Sequence, residues 1–320
     1  MAHLLEIVDG KASMAYAGEV PWHGLGKHVS PDLTPQQMLE AAGLDWEVYK
    51  IPATVNLNSK KYNIGWSALV RKQSDKDDHI MGTVSNDWEP VQNSEAFAFF
   101  HEFVAAGDME MHTAGSISDG QIVWGLAKIK ESFELFEGDR IDAHLLFTNF
   151  HKYGFSTDVR FTPIRVVCNN TLSLSLSSKV DKMIKFSHRR KFNPEHAKEM
   201  LGIATSKLHK YKELASFLGS RKAKNEDIVD YFKRIFPLST TENSDKLSRN
   251  ADKALKVLDH QPGVRFAPGS WWQPFNAVTF MTDHVIGRSY EARLESSWYG
   301  QRKDLKNKAL KLAVDFAQTS

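Results

Sequence analysis

The amino-acid sequence predicts an α+β protein, with a strand-rich N-terminal part built on a mainly antiparallel sheet and a helical C-terminal part. Two observations predict it. From about residue 46 to residue 168, short runs of β-branched and aromatic residues alternate with polar turns. Beyond Asp181 the apolar residues recur at three- and four-residue spacing, the mark of helices buried along one face. Strands followed by helices, rather than alternating with them, is the α+β order. The expected division is a strand-rich domain over 1–190 and a helical region over 191–320.

Taken in order, residues up to Gly43 read as a loop and one short helix. Thr34-Pro35-Gln36-Gln37 is a helix start: Thr34 caps, proline occupies the first helical position, and Gln37 closes a capping box. Strands are expected over 46–56, 61–71 and 79–88, separated by turns at Asn58-Ser59 and at residues 75–78. A helix opens at Asn93 or Ser94, carries Phe97, Phe100 and Val104 on one face, and stops at Gly107. Further strands are expected over 121–130, 140–149, 154–161 and 163–168. Asn169 or Thr171 opens a short helix, or the alternating TLSLSLSS makes a strand instead. MIKFSHRRKF is a basic strand or strand-to-helix joint. A long helix from Asn193-Pro194 to Gly219 follows, then helices over 225–236, 243–259, 273–285 and 303–318.

Bulk properties narrow the function classes. The composition, 42% hydrophobic and 25% charged, argues against disorder, and no run approaches the roughly 18 apolar residues of a membrane span. Glu6 and Asp9 stand where a signal peptide would carry a basic and then an apolar stretch, so an intracellular location is expected. The single cysteine, Cys168, sits in the apolar string IRVVCNN and reads as a core thiol. Residues 1–150 hold 11 Lys and Arg against 22 Asp and Glu, whereas residues 151–320 hold 30 against 17. That asymmetry suits a polyanion partner, and equally suits acidic and basic faces meeting in a homo-oligomer.

Several strings occur in a fixed order: PWHGLGKHV at 21–29, DWEPVQNSEAFAFF at 87–100, FTPIRVVCNNTL at 161–172, WWQPFNAVTFMTDH at 271–284 and ESSWYG at 295–300. Together they resemble the phage/plasmid-like protein family built on the domain of unknown function numbered 932. The resemblance implies a protein encoded by phages, plasmids or their bacterial hosts, hence cytoplasmic, and it supplies no catalytic residues. A looser likeness, at the level of fold alone, is to single-strand annealing recombinases of the Redβ and Erf kind.

The main candidate site is SKVDKMIKFSHRRKF, residues 178–192. Lys179, Lys182, Lys185, His188, Arg189, Arg190 and Lys191 can neutralise phosphates, while Phe186 and Phe192 can stack on bases. The competing reading is a solvated basic strand with core phenylalanines. Arg160 and Arg165 extend the surface, with Asp158 on the same strand face as Arg160, and Asn169–Thr171 offers a helix N-terminus for an anion. Trp271 and Trp272 either stack on a ring or anchor a loop to the core. Trp22-His23-Gly24 reads as a structural turn.

His101, His112, His144, His151 and the Asp283-His284 pair read as scattered surface groups rather than metal ligands, and no HExxH, CxxC, phosphate loop or GxSxG string is present. No cofactor is expected. The leading expectation is a non-catalytic single-stranded DNA-binding or annealing protein for DNA recombination or replication, acting as a homo-oligomer. The alternatives are a metal-dependent nuclease or other hydrolase on nucleic acid, and a protein-interaction module acting against a host factor.

Overall fold

The computed structural model describes residues 6–8, 10–18, 25–73, 77–165, 170–171, 184–186, 188, 209–238, 246–262, 264–287, 296 and 300–319. It has the mixed α+β order, strand-rich and mainly antiparallel in the N-terminal half and helical towards the C-terminus. Its contacts separate two compact units that interleave along the chain. The first unit takes residues 1–130, 144–160 and 183–201, and the second takes 131–143, 161–182 and 202–320.

In the first unit, β1 (Ile7–Val8) and β2 (Lys11–Ala12) form a two-stranded ribbon. β3 (Met14–Ala17) runs parallel to β4 (Lys27–Val29) and antiparallel to β8 (Met109–Ile117). β8 pairs with β9 (Ile122–Glu134), which is followed in the sheet by β10 (Arg140–Phe150) and β11 (Thr157–Arg165); residues 131–134, 140–143 and 161–165 of these strands belong to the second unit. Helix α1 (Pro35–Ala41) begins as its residues dictate: Thr34 Oγ1 accepts from the Gln37 N–H at 3.2 Å, and Gln37 Oε1 accepts from the Thr34 N–H at 2.9 Å.

β5 (Val48–Leu57), β6 (Lys60–Arg71) and β7 (His79–Ser85) make a separate antiparallel sheet, its first turn carried by Asn58 and Ser59 with φ of 50° and 61°. Val48, Leu69, Met81, Val84 and Trp88 form its core.

The single helix expected over 93–107 is two short ones, α2 (Asn93–Ala98) and α3 (His101–Ala105). Phe97 and Phe100 lie against Gly125 of β9, where an added Cβ would come within 3.1 Å of Phe97 and 3.3 Å of Phe100. Phe99 and Phe147 meet at 5.5 Å beside them. The glycine is thus a close-approach site for an aromatic layer.

Strands β3, β4 and β8 were not expected from the sequence. β8 reads MEMHTAGSI, poor in β-branched residues, because Gly115 faces Trp124 so closely that a Cβ there would lie 2.9 Å from the indole.

The second unit is mainly helical. Its described helices are α4 (209–220), α5 (Asn225–Ile235), α6 (Arg249–Leu258), α7 (Trp272–Phe280), which continues as one π-turn over Met281–Val285, and α8 (Gln301–Thr319). α7 is buried on nearly every side, which its run of apolar residues from Trp272 onwards requires. No described helix is long and apolar enough to cross a membrane.

Candidate functional site

Strand β11 receives two short partners. β12 (Asn170–Thr171) pairs with its far end, Ile164 opposite Thr171 and Arg165 opposite Asn170. Asn170 and Thr171 are therefore strand residues, not the first turn of an anion-binding helix. β13 (Ile184–Phe186), the centre of the basic segment, pairs with the near end: Thr157 opposite Phe186, Asp158 opposite Lys185 and Val159 opposite Ile184. Of the two alternatives for MIKFSHRRKF, residues 184–186 take the strand.

Alternation along β11 puts Asp158 and Arg160 on one face, and they meet there. Arg160 Nε donates to Asp158 Oδ1 at 3.0 Å and Nη2 to Oδ2 at 2.7 Å, with Asp158 almost fully enclosed. The Arg160 charge is matched by this fork, so Arg160 acts first on its own strand and only secondarily towards any anion.

Two residues past β13, His188 is buried to 3% exposure. Its ring stacks on Trp88 at 4.2 Å, its Nδ1 lies 3.0 Å from the Glu89 carbonyl oxygen, and its own carbonyl accepts from the Glu89 N–H at 2.7 Å. Because a carbonyl only accepts, Nδ1 carries the proton of the neutral ring. Burial holds the His188 pKa below its ordinary value, opposed by that bond to Glu89. His188 is an anchor.

Behind the anchor runs a chain of buried polar side chains that the sequence did not disclose. Thr157 Oγ1 lies 3.4 Å from His188 Nε2 and donates to Asn149 Oδ1 at 3.0 Å. Asn149 Nδ2 donates to the Val91 carbonyl at 2.8 Å and to Asn93 Oδ1 at 3.1 Å. Asn93 Oδ1 also accepts from His151 Nε2 at 2.9 Å, and Asn93 Nδ2 donates to the Leu44 carbonyl at 3.0 Å.

His151 is thereby fixed with its proton on Nε2, and its Nδ1 has no partner among the described residues. Complete burial, with His188 and Arg71 adding like charge, pushes its pKa down to about 3. Trp46 packs on the His151 ring at 5.3 Å and carries the Arg71 guanidinium over its own face at 4.3 Å, while Arg71 pairs with Glu6. A neutral, enclosed histidine beside a paired arginine stores no acid or base at neutral pH. Its place is to tie α2 to the end of β10, which Asn149 and Thr157 join to β11.

The expectation of scattered surface histidines is corrected here: His144 and His151 are buried, and so is Asp283. Trp271 and Trp272 are also enclosed, at 0% and 1% exposure, so neither offers a face to a base. Trp271 stacks on Phe316 at 5.0 Å, and Trp272 meets Phe136 at 5.9 Å and Tyr211 at 6.1 Å. They anchor the Pro268-Gly269 turn, whose Gly269 carbonyl accepts from the Ala223 N–H while Trp271 N–H donates to Arg221. That clasp presents a described basic loop, with Arg221, Lys222 and Lys224 all exposed.

Lys179, Lys182, Arg189, Arg190, Lys191, Phe192, Cys168 and the Trp22-His23-Gly24 turn lie outside the described residues, and for Arg165, Lys185 and Phe186 only the backbone is described. Among the described residues no group of three or more His, Cys, Asp or Glu is arranged to hold a metal ion.

Comparison with curated proteins and with solved structures yields no match. Residues 80–308, which include the β7-to-β11 body, the anchored basic segment and most of the helical part, match the family described as Domain of unknown function (DUF932), and the chain belongs to that family.

Proposed function

We propose that this protein binds nucleic acid, preferentially single-stranded DNA, and serves DNA recombination or replication without catalysing a reaction itself. The observation that carries this reading is the double anchoring of the basic segment: β13 is hydrogen-bonded to β11, and His188 is locked against Trp88 and Glu89. A cationic segment whose backbone is pinned at two points loses little conformational freedom when phosphates arrive, which favours binding. The surplus of Lys and Arg over residues 151–320, and the exposed Arg221, Lys222 and Lys224, support the same reading. The resemblance to phage and plasmid proteins supports a role in the DNA metabolism of such elements.

The contacts expected of the segment come from Lys179, Lys182, Lys185, Arg189, Arg190 and Lys191, with His188 removed from the binding set by its burial. Each neutralised phosphate releases counterions, so affinity depends steeply on salt. The test is the triple variant Arg189→Ala, Arg190→Ala, Lys191→Ala, assayed for binding to a labelled single strand. Binding is expected to weaken by at least tenfold with an unchanged circular dichroism spectrum. Undiminished binding by the folded variant removes the segment from the account.

A further inference from the structure

The hairpin of β5 and β6 precedes the family match at 80–308 and carries a feature that nucleic-acid binding does not use. Cross-strand pairing places Val55 opposite Tyr62, Ile51 opposite Ala68 and Leu57 opposite Lys60. Opposed residues share a sheet face, and the irregularity between Pro52 and Thr54 leaves three residues of β6 against one of β5, so the parity is kept. Ile80 joins the same face through its pairing with Val70.

The other face is the one that carries Val48 and Leu69 into the core with Trp88. Apart from Val70, which is 2% exposed, this face has no such cover. Ile51, Val55, Leu57, Tyr62, Ile64 and Ile80 expose 48%, 48%, 59%, 49%, 49% and 64% of their surface. Trp66, 38% exposed, continues it onto Tyr153 at 5.0 Å, itself 46% exposed. These eight large side chains present on the order of 600 Å² of apolar surface, at the upper end of what a monomer ordinarily leaves in one patch.

Charge at the two ends of the face identifies what covers it. The hairpin tip is basic, with Lys60 and Lys61 exposed and making no ion pair among the described residues. The base is acidic: Asp45, Glu47, Asp77 and Asp78 are exposed there, with Lys72 bonded to Glu47 at 3.2 Å. Asp78 is drawn to the apolar face by its hydrogen bond from Tyr49. If two copies of this face stack antiparallel about a two-fold axis, the basic tip of each lies over the acidic base of the other.

We propose that the apolar face of the β5–β6–β7 sheet is the interface of a two-fold homodimer, in which Lys60 of each copy, on the same face as Leu57, meets Asp77 and Asp78 of its partner, with Lys61 beside it at the tip adding positive charge. Two sheets packed face to face bury their side chains at about 10 Å separation. The apolar patch, with its charged rim added, reaches the roughly 800 Å² per partner of a stable interface. The surface is self-complementary, as an isologous contact demands.

The test is sedimentation velocity on the full-length protein, with the variants Val55→Asp with Tyr62→Asp, and Lys60→Glu with Lys61→Glu. Wild type is expected to sediment at twice the chain mass. The apolar variant is expected to be monomeric with an unchanged melting temperature, since none of its side chains reaches the core. The charge-reversed tip is expected to weaken the dimer at least tenfold, and adding Asp77→Lys to restore part of that loss. A monomeric wild type at tens of micromolar overturns the proposal, as does a dimer indifferent to both variants. Co-sedimentation of the monomer with phosphatidylcholine–phosphatidylserine vesicles, lost in the Tyr62 variant, overturns it in favour of a lipid surface. Every arm is read without nucleic acid, so its failure is distinct from that of the binding segment.

Discussion

His188 stacks on Trp88 with ring centroids 4.2 Å apart and planes 21° from parallel. That contact turns a histidine in the middle of a basic string into a plug. His188→Ala removes the stack and leaves the Glu89 carbonyl without its donor, so it is expected to cost about 2 kcal/mol. Urea unfolding would show the loss, and amide exchange at residues 184–186 should accelerate. His188→Phe keeps a ring over Trp88 but not the bond, and should fall between the two. Unchanged exchange in His188→Ala would deny the anchor.

The buried histidines set a pH dependence whose sign is fixed by their depressed pKa values. Unfolded His151 takes up a proton below about pH 6.5, whereas the folded group resists until about 3. Between those values the unfolded chain binds more protons, so the stability that neutral His151 contributes is complete above pH 6.5 and drains away as pH falls towards 3. His188, also held low, adds loss in the upper part of the same window. In His151→Gln the urea midpoint is expected to fall less between about pH 7 and about pH 5 than in wild type. Parallel declines would contradict the assignment.

Trp271 and Trp272 test the division between core and surface. Trp271→Ala opens a hole beside Phe316 and Tyr231 and should cost about 3–5 kcal/mol in the helical unit, while Trp271→Phe should cost less than half of that. Binding of a single strand by the folded Trp271→Phe variant should equal that of wild type. A selective loss of binding with stability retained would return the indole to the nucleic-acid surface.

Lys306 Nζ donates to Asp283 Oδ1 at 3.0 Å with both side chains buried, beside the π-turn that ends α7. Lys306→Met takes the ammonium away from a buried carboxylate and is expected to destabilise by about 3–5 kcal/mol, whereas Lys306→Met with Asp283→Leu should recover most of it. Thermal melts of the two variants and wild type decide this. A double variant no better than the single would mean that the charges hold more than each other.

The capping box at Thr34, the three strands around Asn58-Ser59 and the helices near 225, 249, 272 and 301 were legible because each rests on local chemistry: a cap, a turn or a periodic apolar face. β8 was hidden because its Gly115 answers to Trp124, a long-range demand that looks like a loop in one dimension. The expected 93–107 helix was read as continuous because the periodicity of its phenylalanines persists across the break at Phe99-Phe100. His188, Asn149, His151 and Asn93 were invisible as a set: they come from the end of one strand, the residue just past it, a helix and a turn, and only folding brings them together. Charge surplus, in contrast, is additive and survives in the linear sequence, but it does not reveal which charged side chains are already matched, as Arg160 is by Asp158.

The central claim, that the anchored basic segment binds single strands through their phosphates, is tested most directly by fluorescence anisotropy of a labelled single strand across a salt series, with a duplex of equal length alongside. The account predicts tighter binding to the single strand and a steep, linear fall of log affinity with log salt. No binding at low salt, or binding indifferent to salt, would contradict it.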